Sequence, residues 1–217
     1  MHIFVCRGVI FAGFFCIMAM EPRASCATAV DTAVFNKVAN EQEVEKFAKN
    51  IFNAIFAAIN EPNVNVNVLM EVVRKNFDID GMLSRALGPG FNILKKDSPK
   101  LEKFVACFIR QLVELYESSL KKYKTASFSI KKFTKISDSM EYSLIGDISA
   151  SGKIIPIELN ICHGTGGQLQ ISGVIIDGID ITQVQHAEAI SFDNIDEYVD
   201  SVCKRYAAGT ISSISPK

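Results

Sequence analysis

The chain has 217 residues, with 23 Lys and Arg against 24 Asp and Glu, a formal charge of −1. That balance excludes a partner held mainly by charge, above all a nucleic-acid backbone, which selects strongly basic faces. Hydrophobic residues make up 48% of the chain, 15 of them Phe and none Trp, so the composition is that of a greasy folded domain and not of a disordered one.

The first segment reads as an address. Arg7 precedes an apolar run over residues 8–20, and Glu21-Pro22-Arg23 breaks it. The run is shorter than the about 17–25 residues that span a bilayer. Ala27 and Ala29 then stand where a signal peptidase reads small side chains. We expect a secretory signal over residues 1–29 and one domain over 30–217. Arg23 occupies the place where a lipoprotein signal cut at Cys26 needs an aliphatic residue. Cys6, Cys16 and Cys26 fall within the signal, which leaves Cys107, Cys162 and Cys203. Three widely spaced cysteines lack metal-site spacing and permit at most one bridge.

Residues 31–60 carry Val44, Phe47, Ile51, Phe52, Ile55, Phe56 and Ile59 at three- and four-residue steps, which predicts a helix stopped before Pro62. A second helix is expected over 64–77 and a third over 81–87, closed by Gly88-Pro89-Gly90. The strongest helical signal runs from 98 to about 123, with Ser98 as N-cap, Pro99 in the first turn and Glu102 near the capping-box position. Phe104, Phe108, Leu112 and Leu115 belong to its apolar stripe.

From Ala126 the period changes to two. Phe128 and Ile130, then Tyr142, Leu144, Gly146, Ile148 and Ala150, then Ile155, Ile157, Leu159 and Ile161, then Leu169, Ile171 and Val174 mark four strands. The short Gly- and Ser-bearing connections predict an antiparallel meander, one face wet and one apolar. Pro156 lacks a ladder donor, so its strand is expected at an edge or at a bulge. Helices follow over 181–190 and 193–207. The predicted class is α+β: N-terminal helices, a four-stranded antiparallel sheet and C-terminal helices, whose inward apolar faces either fill a core or enclose an apolar cavity, two arrangements that periodicity alone does not separate.

Polar motifs supply little chemistry. Cys162-His163 invites a cysteine nucleophile, but adjacent strand residues point to opposite faces, and a metal site with His186 lacks a fourth ligand. Gly164-Thr165-Gly166-Gly167 joins strand to strand, whereas phosphate loops open a helix. Lys95-Lys96, Lys121-Lys122-Lys124 and Lys131-Lys132 read as solvated faces, and Asp177-Gly178-Ile179-Asp180 as a turn and helix cap. No catalytic residue, metal or cofactor is expected.

Two segments carry a family resemblance. Residues 100–123, with Phe104, Phe108, Leu112, Leu115, Tyr116 and Tyr123, and residues 169–181, with Ile171, Val174, Ile176, Gly178 and Ile181, resemble the central helix and the last strand with its turn in the MlaC, or toluene-tolerance auxiliary, family. The resemblance spans residues 30–208. The chain departs from it at Leu169, Gly173 and Asp180, where the family usually has tryptophan, aspartate and serine.

The resemblance implies a periplasmic phospholipid carrier that maintains membrane lipid asymmetry. Such a carrier works with an inner-membrane ABC transporter complex and an outer-membrane lipoprotein complex. It implies that Leu83, Leu87, Phe104, Phe108, Leu112, Leu115, Leu144, Ile148, Ile157, Leu159, Ile171 and Ile176 line a pocket for acyl tails. Burying a tail of about 14 carbons at about 0.8 kcal/mol per methylene gains on the order of 10 kcal/mol, before extraction and ordering are subtracted. The alternative is a secreted, non-catalytic interaction protein whose apolar interior is filled.

Overall fold

A computed structural model describes residues 39–60, 66–120, 126–136, 140–150 and 152–207, with the side chains of 112, 114–120, 206 and 207 left out of that description. The expected signal segment and residues 31–38 of the first expected helix therefore lie outside it.

Helix α1 (Glu41–Asn60) starts at a reciprocal cap. The Glu43 amide donates to Asn40 Oδ1 at 2.9 Å, and the Asn40 amide donates to Glu43 Oε2 at 3.0 Å, which pairs two of the orphan donors of a helix start. Helix α2 (Val66–Asn76) follows, then α3 (Ile79–Leu87), capped by Asp78, which accepts from the Gly81 amide at 3.0 Å.

Gly88-Pro89-Gly90 closes α3 at Leu87 as expected, but an unexpected further helix follows at once. Gly88 turns the chain at φ 53°, and Pro89 then opens a short helix, α4 (Pro89–Leu94). Proline suits that first position because the N–H it lacks would have no partner there. Helix α5 spans Ser98–Leu120. Its cap is Asp97, one residue earlier than expected: Asp97 Oδ1 accepts from the Lys100 amide at 3.1 Å.

Five strands, β1 (Ser127–Ile136), β2 (Glu141–Ala150), β3 (Lys153–His163), β4 (Leu169–Ile176) and β5 (Ile179–Asp180), pair antiparallel in sequence order. The fifth, two residues long, was not expected. It pairs back on β4 through a tight turn at Asp177 and Gly178, both at positive φ, as a two-residue hairpin requires. The alternation holds on β2 and β3: Tyr142 faces Ile161 and Leu144 faces Leu159, all four buried.

Pro156 is a correction, since β3 is central and not an edge strand. The Pro156 carbonyl accepts from the Asp177 amide at 2.9 Å. In an antiparallel strand the N–H and C=O of one residue point to the same side. The missing donor therefore faces the β4–β5 turn, where no ladder partner is required. The bulges lie elsewhere. Lys131 is the extra residue between Ile130 and Lys132 on β1, and Ser172 the extra residue between Ile171 and Gly173 on β4. Lys131 pairs with the buried Asp147 at 2.5 Å.

Helices α6 (Ile181–Ala189) and α7 (Ile195–Ala207) complete the chain. Asp180 caps α6, accepting from the Thr182 amide at 2.8 Å and from that of Gln183 at 3.3 Å. Cys107 and Cys203 form a disulfide that joins α5 to α7 with their Cα atoms 5.1 Å apart, and Cys162 is free and buried. The one bridge the cysteine arithmetic allows is thus made. No helix among the described residues is long and apolar enough to cross a membrane.

Candidate functional site

The helices cover one face of the sheet, and the space between the layers is not fully occupied. An apolar pocket of about 130 Å³ remains, partly open and walled by seventeen residues, all hydrocarbon or thioether. Helix α1 supplies Ile51, Phe52, Ile55, Phe56 and Ile59, α2 supplies Leu69 and Val73, and Met82 and Val113 come from α3 and α5. The opposite wall is Ile148 of β2, Ile157 and Leu159 of β3, and Ile171, Val174 and Ile176 of β4. Phe77, between α2 and α3, and Ile181, at the start of α6, complete it.

The bulge at Ser172 explains one feature of this wall. Ile171 and Val174 are three residues apart, so an unbroken strand would send them to opposite faces. The extra residue restores parity, and Ile171, Val174 and Ile176 all reach the pocket. On the other layer, the Phe52 ring stacks on Phe128 of β1 with centroids 4.1 Å apart. Gly146 of β2 makes that possible. A Cβ there would lie 2.8 Å from the Phe128 ring and 2.4 Å from the Ser129 carbonyl oxygen.

Of the residues expected to line a tail pocket, Ile148, Ile157, Leu159, Ile171 and Ile176 border this apolar pocket. Leu83, Leu87, Phe104, Phe108 and Leu144 are instead buried in the core and do not border the pocket. Phe104 shows why. It meets Tyr198 of α7 edge-on at 5.9 Å and Phe108 at 6.1 Å, so this part of α5 is spent on helix–helix packing. Leu112 and Leu115 have side chains outside those described.

The contribution of α1 and α2 was not anticipated, although a signal was present. Ile51, Phe52, Ile55, Phe56 and Ile59 place nearly two apolar residues on each turn. Such a stripe is wider than a helix needs to cover a single neighbour.

The polar candidates form no reactive cluster. His163 Nδ1 has no hydrogen-bond partner among the described residues, so it does not hold the Cys162 thiol; the ring instead lies edge-on to Tyr142 at 5.8 Å. His186 donates from Nδ1 to the Ala86 carbonyl at 3.0 Å, because a carbonyl can only accept. No group of three His, Cys, Asp or Glu among the described residues is placed to hold a metal ion. Gly164-Thr165-Gly166-Gly167 is the turn between β3 and β4, as expected, closed by the Gly164 amide on the Gln168 carbonyl at 2.8 Å. Of the lysines, Lys95 sits 4.7 Å over the Phe91 ring.

Three comparisons bear on this arrangement. The solved structure of a phospholipid-binding protein from Ralstonia solanacearum, in complex with a phospholipid, shares the fold at a TM-score of 0.64 and 13% identity, covering 75% of this chain and 96% of that one. No curated protein matches the chain in sequence. The family model described as MlaC protein matches residues 41–201, most of the chain and every residue that lines the pocket. The chain belongs to the MlaC family.

Proposed function

We propose that this protein is a phospholipid carrier that holds acyl tails in the apolar pocket between sheet and helices. The observation that carries the reading is the lining itself: seventeen residues without one charged or hydrogen-bonding side chain. An unoccupied apolar space in a folded core is a cost, because its walls forgo dispersion contacts. A tail restores those contacts and is itself removed from water, at about 0.8 kcal/mol per methylene. Family membership and the phospholipid-bound neighbour support the same ligand class.

The work on this reading is binding and release, with no bond made or broken. A carrier must give up its cargo, so the affinity of the pocket has to lie close to that of a bilayer. Docking on a donor or acceptor then decides the direction. We place the protein in the periplasm, exported by residues 1–29, shuttling lipid between the outer and inner membranes for an ABC-type transport system. The Cys107–Cys203 bridge fits an oxidising compartment of that kind.

The test is transfer of a fluorescent phospholipid from labelled to unlabelled vesicles. The protein is expected to accelerate transfer in proportion to its concentration. Transfer no faster than spontaneous exchange at every protein concentration overturns the proposal.

A further inference from the structure

A second cavity, of about 250 Å³ and partly open, has a polar lining and lies across the sheet from the apolar pocket. Leu159 and Val174, paired across β3 and β4, border the apolar pocket. Their strand neighbours Asn160 and Gly173, also paired, border the second cavity. Adjacent strand residues point to opposite faces, so β3 and β4 stand between the two spaces. Arg85 of α3, the α6 cap Asp180, and Thr182 and His186 of α6 supply much of the remaining wall.

Two buried polar atoms of the lining residues, Thr182 Oγ1 and Asn160 Oδ1, have no hydrogen-bond partner among the described residues. Thr182 is 5% exposed. Buried polar groups are destabilising when left unpaired, and two of them at one cavity point to a partner from outside the chain. Gly173 leaves room for the Asn160 side chain, since a Cβ there would lie 3.0 Å from Asn160 Nδ2.

The chemistry of the lining selects that partner. Asn160 Oδ1 only accepts, and the Thr182 hydroxyl can accept. His186 spends its Nδ1 proton on the Ala86 carbonyl, which leaves Nε2 of the neutral ring as an acceptor. The carboxylates of Glu141 and Asp180 stand against one guanidinium, that of Arg85, which donates to the Ser172 carbonyl. An anion is disfavoured, because the Thr182 and Gln183 amides that would hold it at the start of α6 already donate to Asp180 Oδ1. Nor do Glu141, Asp180 and His186 form a cluster placed to hold a metal ion. A primary ammonium fits: it has three donors, one positive charge and no acceptor.

We infer that this cavity is a second binding site, for the primary ammonium group of a small soluble amine. Asn160 Oδ1 and Thr182 Oγ1 accept from it, and Asp180 and Glu141 supply the opposing charge. The site stands apart from the carrier reading. With the sheet between the two spaces, it fills whether or not tails occupy the apolar pocket, and a soluble amine reaches it without the tether of a lipid.

The experiment is an NMR titration of the whole protein with ethanolamine. Ethylene glycol serves as the uncharged analogue, inorganic phosphate as the anion, and phosphatidylethanolamine vesicles as the lipid-borne amine. Ethanolamine is expected to shift the backbone amides of Asn160, Gly173 and Thr182 saturably, with a Kd on the order of 0.1–1 mM for so small a ligand, while neither soluble control saturates. Thr182→Val keeps the shape and removes the hydroxyl. It is expected to raise the Kd about tenfold while its urea midpoint holds or rises, because that hydroxyl has no partner among the described residues. Asn160→Leu is expected to raise the Kd by a similar factor. Saturation by phosphate in place of ethanolamine, or wild-type Kd in both variants, overturns the ammonium site. Shifts at these amides with the vesicles but not with ethanolamine assign the cavity to a lipid headgroup and overturn the soluble amine.

Discussion

Val174→Phe separates unfilled space from filled core, because the two situations give opposite signs. Val174 is 7% exposed and borders the pocket from β4. Phenylalanine adds about four carbons, and at about 0.8 kcal/mol per buried methylene its gain is up to about 3 kcal/mol, less the ordering of a larger side chain. In a filled interior the same change forces neighbours off their rotamers and costs about 1–3 kcal/mol. The expected result is therefore unchanged or increased stability, together with loss of bound lipid, since the ring occupies the space a tail would take. Ile161→Phe is the control: Ile161 is fully buried on β3 and does not border the pocket, so it is expected to lose about 1–3 kcal/mol. Urea midpoints at constant m-value read the stabilities, and native mass spectrometry reads the lipid. If Val174→Phe destabilises as much as Ile161→Phe, the space is not there and the reasoning from the lining fails.

Other consequences are as direct. Replacing Cys107 and Cys203 by serine is expected to cost about 2–5 kcal/mol, because the bridge closes a sequence separation of 96 residues; a urea midpoint that the substitutions leave unmoved contradicts this. Gly146→Ala drives a Cβ to 2.4 Å from the Ser129 carbonyl oxygen, and a loss of about 1–3 kcal/mol is expected, with neutral behaviour showing that β1 is free to shift. Tyr142 is held above the ordinary phenol range, chiefly by burial and against the pull of the Ala39 amide. Its contribution to stability is complete below the unfolded phenol pKa of about 10 and is lost as pH rises, because the unfolded chain ionises first. Tyr142→Phe should flatten that alkaline loss while costing about 1 kcal/mol near neutrality, where the Ala39 amide loses its acceptor. An alkaline limb identical in both proteins assigns the effect to another group.

Much of the fold was legible because two periods in the sequence are set by local geometry. Tyr142, Leu144 and Ile148 alternate as a half-buried strand must, and the stripes of α1 and α5 follow the helical repeat. What the periods do not carry is the partner of each apolar face. Phe104 and Ile51 sit in equally good stripes, yet one packs on α7 and the other borders the pocket, and only the three-dimensional arrangement of layers distinguishes them. The cap of α5 shifted from Ser98 to Asp97 because both residues suit the position, and the backbone decides between them. Gly88-Pro89-Gly90 carries signals for stopping one helix and for starting another, and both are used. Pro156 misled because its missing donor was assumed to face a ladder, whereas the sheet places it opposite a turn. The bulge at Ser172 left a trace, the three-residue step from Ile171 to Val174, that can be read correctly only once the register is known.

The central claim is that the apolar space between sheet and helices is a seat for phospholipid tails. Its most direct test is the phospholipid content of the protein purified without detergent from a cell that exports it, measured by lipid extraction and by native mass spectrometry. Phospholipid is expected in a fixed stoichiometric ratio to protein, and is expected to be lost in the Val174→Phe variant. Protein that emerges free of lipid, and stays free of it after incubation with vesicles, contradicts the account.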